Sequence, residues 1–316
     1  MKETAMQLPR AVLAALFLTV IFSTAYGQTG AAPAAAPPPP DFSKVEIKTT
    51  KITNNFYTLE GLGGTIGALV GPDGVLLVDG EYAPLTTKIV AAVRQVSSTP
   101  IRFMVNTHVH GDHTGGNENF GKTGVVIFAR DELRDRLAHP GPAANGTPGV
   151  PAPPAALPVV TYEGRVKFHL DGEEAELIPI PRAHTDGDTM IFFHNADVIM
   201  TGDFFRSVGY PNIDRANGGS LNGMLDGLGI TIGLMGPNTK AIPGHGPVTD
   251  RAGIIAHRDM ILAIRDRVAQ LVQQGKSAQE VLAAHPTAEY DARVPMAKET
   301  ADRFVGQLYA ELSAAK

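Results

Sequence analysis

The 316-residue chain contains no cysteine. That absence excludes disulfides and thiolate ligands, so any metal site has to be built from histidine and carboxylate, and stability has to come from the packed core. It also lacks a basic excess. Lys and Arg number 27 against 32 Asp and Glu, a net charge of -5, which leaves no electrostatic footprint for a nucleic acid partner. No long single-sign run of charge and no internal repeat of 20–50 residues is present. Nor is there a hydrophobic run long enough to cross a bilayer comfortably: the longest, residues 11–22, is short of the roughly 20 residues a spanning helix needs.

What that run does resemble is the core of a secretory leader. Lys2 and Arg10 flank it on the amino side, and the small residues of Ala25-Tyr26-Gly27 follow it. Residues 1–27 are therefore expected to be a signal peptide. Residues 28–42 (QTGAAPAAAPPPPDF) are Ala/Pro-rich, cannot bury apolar surface, and read as an extended linker. A periplasmic or secreted protein follows from this, with no stable membrane insertion once the leader is removed. The folded part is expected over 43–250, with C-terminal helices over 251–316 packed on the same domain.

At 43% hydrophobic residues, the chain can bury a sizeable core. Short β-branched and apolar segments at 45–53, 55–59, 65–70, 75–79, 101–106, 123–129, 166–170, 175–180, 190–194, 198–201 and 237–242 read as strands. Gly71-Pro72-Asp73-Gly74 supplies turn chemistry for a hairpin. Leu85, Ile89, Val90, Val93 and Val96 recur at helical spacing behind Pro84. Further helices are expected over 131–138 and 222–234 and through the last 65 or so residues, where Ile254, Ile261, Ile264 and Val268 share a face and Ser277 with Glu280 forms a capping box. Residues 140–158 form a long Gly/Pro-rich loop. Strands followed by helices, twice over, predict an α/β sandwich with helices outside two sheets.

The chemistry concentrates at residues 107–116, THVHGDHTGG. Three histidines and an aspartate fall within six positions at the end of an apolar strand. His108 and His110 can project to one side of a tight loop, with Asp112 and His113 offset toward a second point, so one loop can serve two metal ions. Imidazole and carboxylate suit divalent zinc. Three more candidates follow other strands beside Gly or turn residues: His184 in Ala183-His184-Thr185-Asp186-Gly187-Asp188, Asp203 in Thr201-Gly202-Asp203, and His245 in Pro243-Gly244-His245-Gly246. Asp79, in Val78-Asp79-Gly80, is a candidate to orient ligands or to form a strand-end turn. His139, His169, His194, His257 and His285 lack partner patterns and are expected to be structural or on the surface.

The ordered set HxHxDH, His, Asp, His, with spacings of 71, 19 and 42 from His113 onward, resembles the metallo-β-lactamase superfamily over most of residues 55–250. The resemblance implies an αββα four-layer sandwich of two mixed β-sheets flanked by helices. It implies two Zn2+ per chain, one held by His108, His110 and His184, the other by Asp112, His113 and His245, with Asp203 bridging. It further implies an exported metallo-hydrolase in which a bridging hydroxide cleaves an ester, lactone, thioester or β-lactam amide of a small molecule, with Asp112 also shuttling the proton. Zinc lowers the pKa of bound water to about 7.

The substrate stays open, because fold does not fix the reaction. Export and the His184–Asp188 segment favour a β-lactamase proper, but Asp203 stands where one subclass has a cysteine. Asp203 fits a glyoxalase-II-like thioesterase, yet Gly246-Pro247 follows His245 where Glu-Tyr is expected. A lactonase reading makes Tyr210 a donor to the leaving group, against a packing role. A mononuclear iron persulfide dioxygenase-like oxidoreductase is the alternative of another class, and retention of the second-site residues argues for two metals instead. No signal bears on oligomeric state.

Overall fold

The computed structural model describes residues 40–142 and 146–314. The expected leader, and the linker apart from residues 40–42, lie outside them. Asp41 caps a short 3-10 turn, Phe42–Lys44, by accepting from the Ser43 N–H, and Asp41–Lys316 forms one compact unit.

Among the described residues, twelve strands form two sheets. Seven build the first in sequential order: β1 (Lys48–Lys51), β2 (Phe56–Glu60), β3 (Ile66–Gly71), β4 (Gly74–Val78), β5 (Ile101–Val105), β6 (Val126–Arg130) and β7 (Val160–Tyr162). Hairpins make β1–β4 antiparallel, and the crossovers that follow make β4–β7 parallel. The second sheet has the order β12-β11-β10-β9-β8, from β8 (Val166–Leu170), β9 (Glu173–Pro179), β10 (Thr189–Phe193), β11 (Val198–Gly202) and β12 (Lys240–Pro243). Both sheets are mixed and both carry helices, so the expected αββα sandwich is the fold.

Composition tracks position in the sheets. GVLLV of β4 and TMIFF of β10 are buried throughout, as strands covered on both faces must be. The edge strand β1 is KTTK, and its Lys48 pairs with Glu60 on β2; charge of this kind blunts an open edge. Phe56, Leu69, Leu76, Leu177, Ile191 and Phe193 fill the space between the sheets. Outside the first sheet lies α1 (Thr86–Val96), which turns Ile89 and Val93 onto Leu77 and Val75.

Of four further helices, the first belongs to the site, the next two pack on the first sheet and the last on the second. They are α2 (Gly111–Thr114), α3 (Asn117–Lys122), α4 (Asp131–Ala138) and α5 (Leu221–Leu234). Ser220 caps α5 by accepting from the Gly223 N–H. The C-terminal helices are α6 (Arg251–Gln273), α7 (Ala278–Ala283) and α8 (Ala297–Ala314). The capping box of Ser277 and Glu280 opens α7. Ile261, Ile264, Phe304 and Leu308 share one buried cluster with Ile199 and Phe204, so these helices bury the outer face of the second sheet.

Several expectations shift. The strand sought over 45–53 shortens to β1, and that over 123–129 begins at Val126, because Gly121 and Gly124 close a turn first. The short helices α2 and α3 and the three-residue β7 carry too little periodicity to be read from sequence.

Topology puts the ends that matter on one edge. β9, β11 and β12 run in one direction with β10 opposed, so three carboxyl ends meet there. The Thr65 N–H donates to Gly244 O at 2.8 Å and the Thr189 N–H to Thr107 O at 2.8 Å, which joins that edge to the carboxyl end of β5.

Two outcomes follow. Phe304→Ala should lower unfolding free energy by about 3–5 kcal/mol within a single urea transition; a loss under about 1 kcal/mol, or a separate early transition, would show that α8 lies outside the shared core. His257 on α6 has a buried ring nitrogen, Nε2, without a partner, and burial holds its pKa down at about 4. Since the unfolded chain takes that proton nearer pH 6.5, the stability of wild type relative to His257→Phe should fall as pH drops from about 6.5 to 4. A flat difference across that window would contradict this.

Candidate metal centre

The 108–113 segment leaves β5 under tight control. Asp79, at the end of β4 with φ 66, accepts from the Thr107 N–H at 2.8 Å and from Thr107 Oγ1 at 2.7 Å. It is thus both turn former and orienting residue. His110 then stands at the N-cap of α2, whose single turn throws Asp112 and His113 toward the interior. Gly64 passes directly beneath: its N–H donates to Asp112 O at 3.0 Å, and a Cβ there would run into the His113 ring.

Three loops bring in the rest. After β9, the His184 loop is closed by Asp188, which accepts from the His184 N–H at 2.7 Å and from Thr185 N and Oγ1 at 3.0 and 2.6 Å. Burial still pushes the Asp188 carboxyl up to about 7. Asp203 follows the left-handed Gly202, φ 56, at the end of β11. His245 follows β12, where a Cβ on Gly244 would collide with the Asp203 carboxylate.

All seven candidate residues converge. His108, His110 and His184 form one cluster whose nitrogens lie within 4.8 Å of one another; Asp112, His113 and His245 form a second; His108, His113 and Asp203 link them. His108, His113, His184 and Asp203 are buried, while His110, Asp112 and His245 are 25%, 24% and 19% exposed and form the mouth.

Hydrogen bonds fix which nitrogen of four of the rings faces inward. Thr107 Oγ1 donates to Asp79 and so accepts from His108 Nδ1, 2.9 Å away. His113 Nδ1 donates to Asp79 Oδ2 at 2.7 Å, His110 Nε2 to Asp214 Oδ2 at 2.7 Å, and His184 Nδ1 to the Asn212 carbonyl at 2.7 Å. The inward nitrogens are left with lone pairs. Two of them, His184 Nε2 and His110 Nδ1, face each other at 2.9 Å, so two lone pairs meet there when both rings are neutral. His108 Nε2, His113 Nε2 and Asp203 Oδ1 are buried without a hydrogen-bond partner.

Charge tells the same story. Burial and the neighbouring His113 and His184 hold His108 well below its ordinary pKa. Against burial, the Asp79 and Asp203 carboxylates push His113 well above it, and Asp112 and Asp203 raise His245 to about 9. Despite burial, His245 and His113 hold Asp112 down at about 2. The site therefore demands positive charge at its centre, and divalent cations satisfy the orphaned donor atoms in place of protons. The residues fit a metal pair.

Comparison with known proteins now bears on this geometry. The sequence profile of the Metallo-beta-lactamase superfamily matches residues 59–256. The chain belongs to the metallo-β-lactamase superfamily. Among curated relatives, the α subunit of 2,4-dinitroanisole O-demethylase from Nocardioides sp. is 27% identical over 190 residues, 54% of each chain. Hydroxyacylglutathione hydrolase from Nitrosococcus oceani is 27% identical over 179 residues, 56% of this chain and 60% of that one. The chain thus spans somewhat over half the length of these relatives. Among solved structures, a metallo-beta-lactamase from Pontibacter korlensis superposes with TM-score 0.58 at 16% identity, covering 69% of this chain and 99% of its own. One from Pseudomonas aeruginosa in a mono-zinc form gives 0.56 at 17%, covering 69% and 96%. These likenesses concern fold.

Around the seven converging residues stand supports that sequence reading missed. Asp214, 104 positions from His110, orients its ring, and the Asn212 carbonyl orients His184. Helix α8, beyond the matched segment, holds that carbonyl's loop: Gln307 Nε2 donates to Asn212 Oδ1 at 2.8 Å, Gln307 Oε1 accepts from the Ile213 N–H at 3.0 Å, and Arg303 donates to Tyr210 O at 3.1 Å. No spacing rule marks a lone Asp in a loop or a Gln on a helix. Tyr210 is fully buried with its hydroxyl donated to Asp291 Oδ1 at 2.7 Å, so it packs and does not face the centre as a leaving-group donor. Asp214→Ala should weaken zinc binding about 10–100-fold, read by competition with a chromophoric chelator, with the far-UV spectrum unchanged. Unaltered affinity would remove Asp214 from the metal centre.

Proposed function

We propose that the protein is an exported, two-zinc hydrolase that cleaves an ester, lactone, thioester or β-lactam amide bond in a small molecule. The observation that carries this reading is the convergence of His108 Nε2, His113 Nε2 and Asp203 Oδ1, buried and without hydrogen-bond partners, between the two side-chain clusters. A nitrogen- and oxygen-only donor set, complete for two ions, suits zinc. His108, His110 and His184 would hold one ion, and Asp112, His113 and His245 the other, with Asp203 between them. When bound, two such ions supply Lewis acidity and water acidified toward neutral pH.

The chain's own residues do the rest. Asp112 sits at the open mouth with Oδ2 3.2 Å from His245 Nε2. Held down at about 2, it is ionised at neutral pH and can accept and relay a proton from water. Buried Asp79 and half-buried Asn212 and Asp214 keep the ring orientations fixed, and buried Asp188 holds the His184 loop, so little reorganisation accompanies reaction. The centre is flanked by two grooves. One of about 530 Å3 runs past His245, Gly63 and Val248; another of about 430 Å3 runs past His110, Leu137 and Val150. Together they leave room for a substrate extending to both sides of the scissile bond.

Export to the periplasm or medium rests on the leader-like residues 1–27. Among the described residues, no helix is long and apolar enough to cross a membrane.

The test is a panel of nitrocefin, a homoserine lactone and a thioester against zinc-loaded protein. At least one should turn over, lose its turnover on dialysis against a chelator, and recover with zinc. His110→Ala should abolish turnover while leaving the fold intact. One iron per chain, with oxygen uptake on a persulfide, would overturn the hydrolase reading.

A further inference from the structure

A second cavity, of about 310 Å3, opens between the start of α6, the segment after Asp203 and the chain between α7 and α8. That volume is at the small end of the range for small-molecule sites, roughly 300–1,000 Å3. None of the seven metal-centre residues lines it. Its walls are largely apolar, with Phe205, Met260 and Tyr290 prominent.

The charged side chains on its wall are all of one sign. Arg206, Arg293 and His257 line it, and no aspartate or glutamate does. Arg206 donates Nε–H to Val208 O at 2.9 Å, which leaves the outer face of its guanidinium unengaged. The Arg293 guanidinium lies over the Tyr290 ring, 5.1 Å from its centroid. Among the described residues, neither arginine has a carboxylate partner. Their neighbours differ: Arg258, Arg265 and Arg267 of α6 each pair with an acid. The acids nearest Arg293 in sequence are also engaged, Asp291 by the Tyr210 hydroxyl and Glu289 by Arg267, and the one nearest Arg206, Asp203, faces His113 and His245. His257 adds a buried ring nitrogen with no hydrogen-bond partner.

Two arginines without carboxylate partners beside an apolar hollow give it a positive field that favours an anion over a cation. A guanidinium presents a planar fork that matches a carboxylate, and stacking on an aromatic ring holds it in orientation. We propose that this cavity is a binding site for a small amphipathic carboxylate, its head on Arg206 and Arg293 and its apolar body against Phe205 and Met260. The wall residue Ser207 donates its N–H to His245 O at 3.1 Å. Occupancy therefore bears on a segment that touches the metal centre without sharing its residues. The proposal does not depend on which bond is cleaved there.

Isothermal titration of octanoate into the purified protein tests it, run on zinc-loaded and on chelator-stripped samples, with octylamine as the cationic control. Octanoate should bind both samples alike and octylamine neither. Arg206→Met should weaken octanoate binding at least about tenfold, and Arg293→Met several-fold, in variants whose thermal midpoints match wild type. Arg293 is exposed, so its substitution keeps the test usable if Arg206→Met misfolds. Binding that disappears with the metal would place octanoate at the metal centre and overturn the proposal. Binding unaffected by either substitution, equal binding of octylamine, or no binding at millimolar octanoate would do the same.

Discussion

Four imidazole rings are each committed on one nitrogen, and the second nitrogens point at one another. Everything else around this edge of the sandwich follows from that constraint. Asp79, Asp214, the Asn212 carbonyl and Thr107 take the outward nitrogens. The inward ones then carry lone pairs, and at 2.9 Å two facing lone pairs repel unless a cation stands with them. Two carboxylates at the same point, Asp112 and Asp203, deepen the need for positive charge. The same carboxylates, with Asp79, push His113 and His245 toward holding a second proton, against burial. Divalent ions answer that need better, because they meet every donor atom at once.

The scaffold is arranged to hold this unstable set of side chains still. Each ligand-bearing loop begins where a buried strand ends, and the strands run so that their carboxyl ends share an edge. Glycine stands where backbone has to pass close, beneath the His113 ring at Gly64 and against Asp203 at Gly244. Glu81 shows how far the anchoring extends. It is wholly buried, burial raises its pKa, and its carboxylate gathers the Gly61, Leu62 and Gly63 N–H groups at 2.7, 3.3 and 3.0 Å. The hairpin end beside the mouth is thereby tied to the end of β4. Helix α8 does for the His184 side what Glu81 does here, from a part of the chain outside the superfamily match.

Much of this was legible in the sequence, for physical reasons. A metal site without cysteine concentrates histidine and aspartate, so THVHGDHTGG stands out from any core or surface pattern. β11, which leads to Asp203, is buried throughout, and β5, β9 and β12 each carry buried apolar residues in the half that leads to a candidate ligand. The supporting residues were not legible. Asp214 and Gln307 act through single long-range hydrogen bonds, which leave no periodicity and no spacing behind. His257 looked like a lone structural histidine, and only the fold sets its unpartnered nitrogen on a cavity wall with Arg206 and Arg293. Tyr210 sat in a suggestive place after Asp203, but α8 covers it. The helix turns at 111–122 were hidden by glycine and asparagine, whose local preferences run against helix.

Anomalous diffraction from zinc-soaked crystals, recorded on both sides of the zinc absorption edge, tests the central claim most directly. The account predicts two peaks, one among His108, His110 and His184 and one among Asp112, His113 and His245, with the Asp203 carboxylate between them. A single peak, or none within reach of His108 Nε2, His113 Nε2 and Asp203 Oδ1, would contradict it.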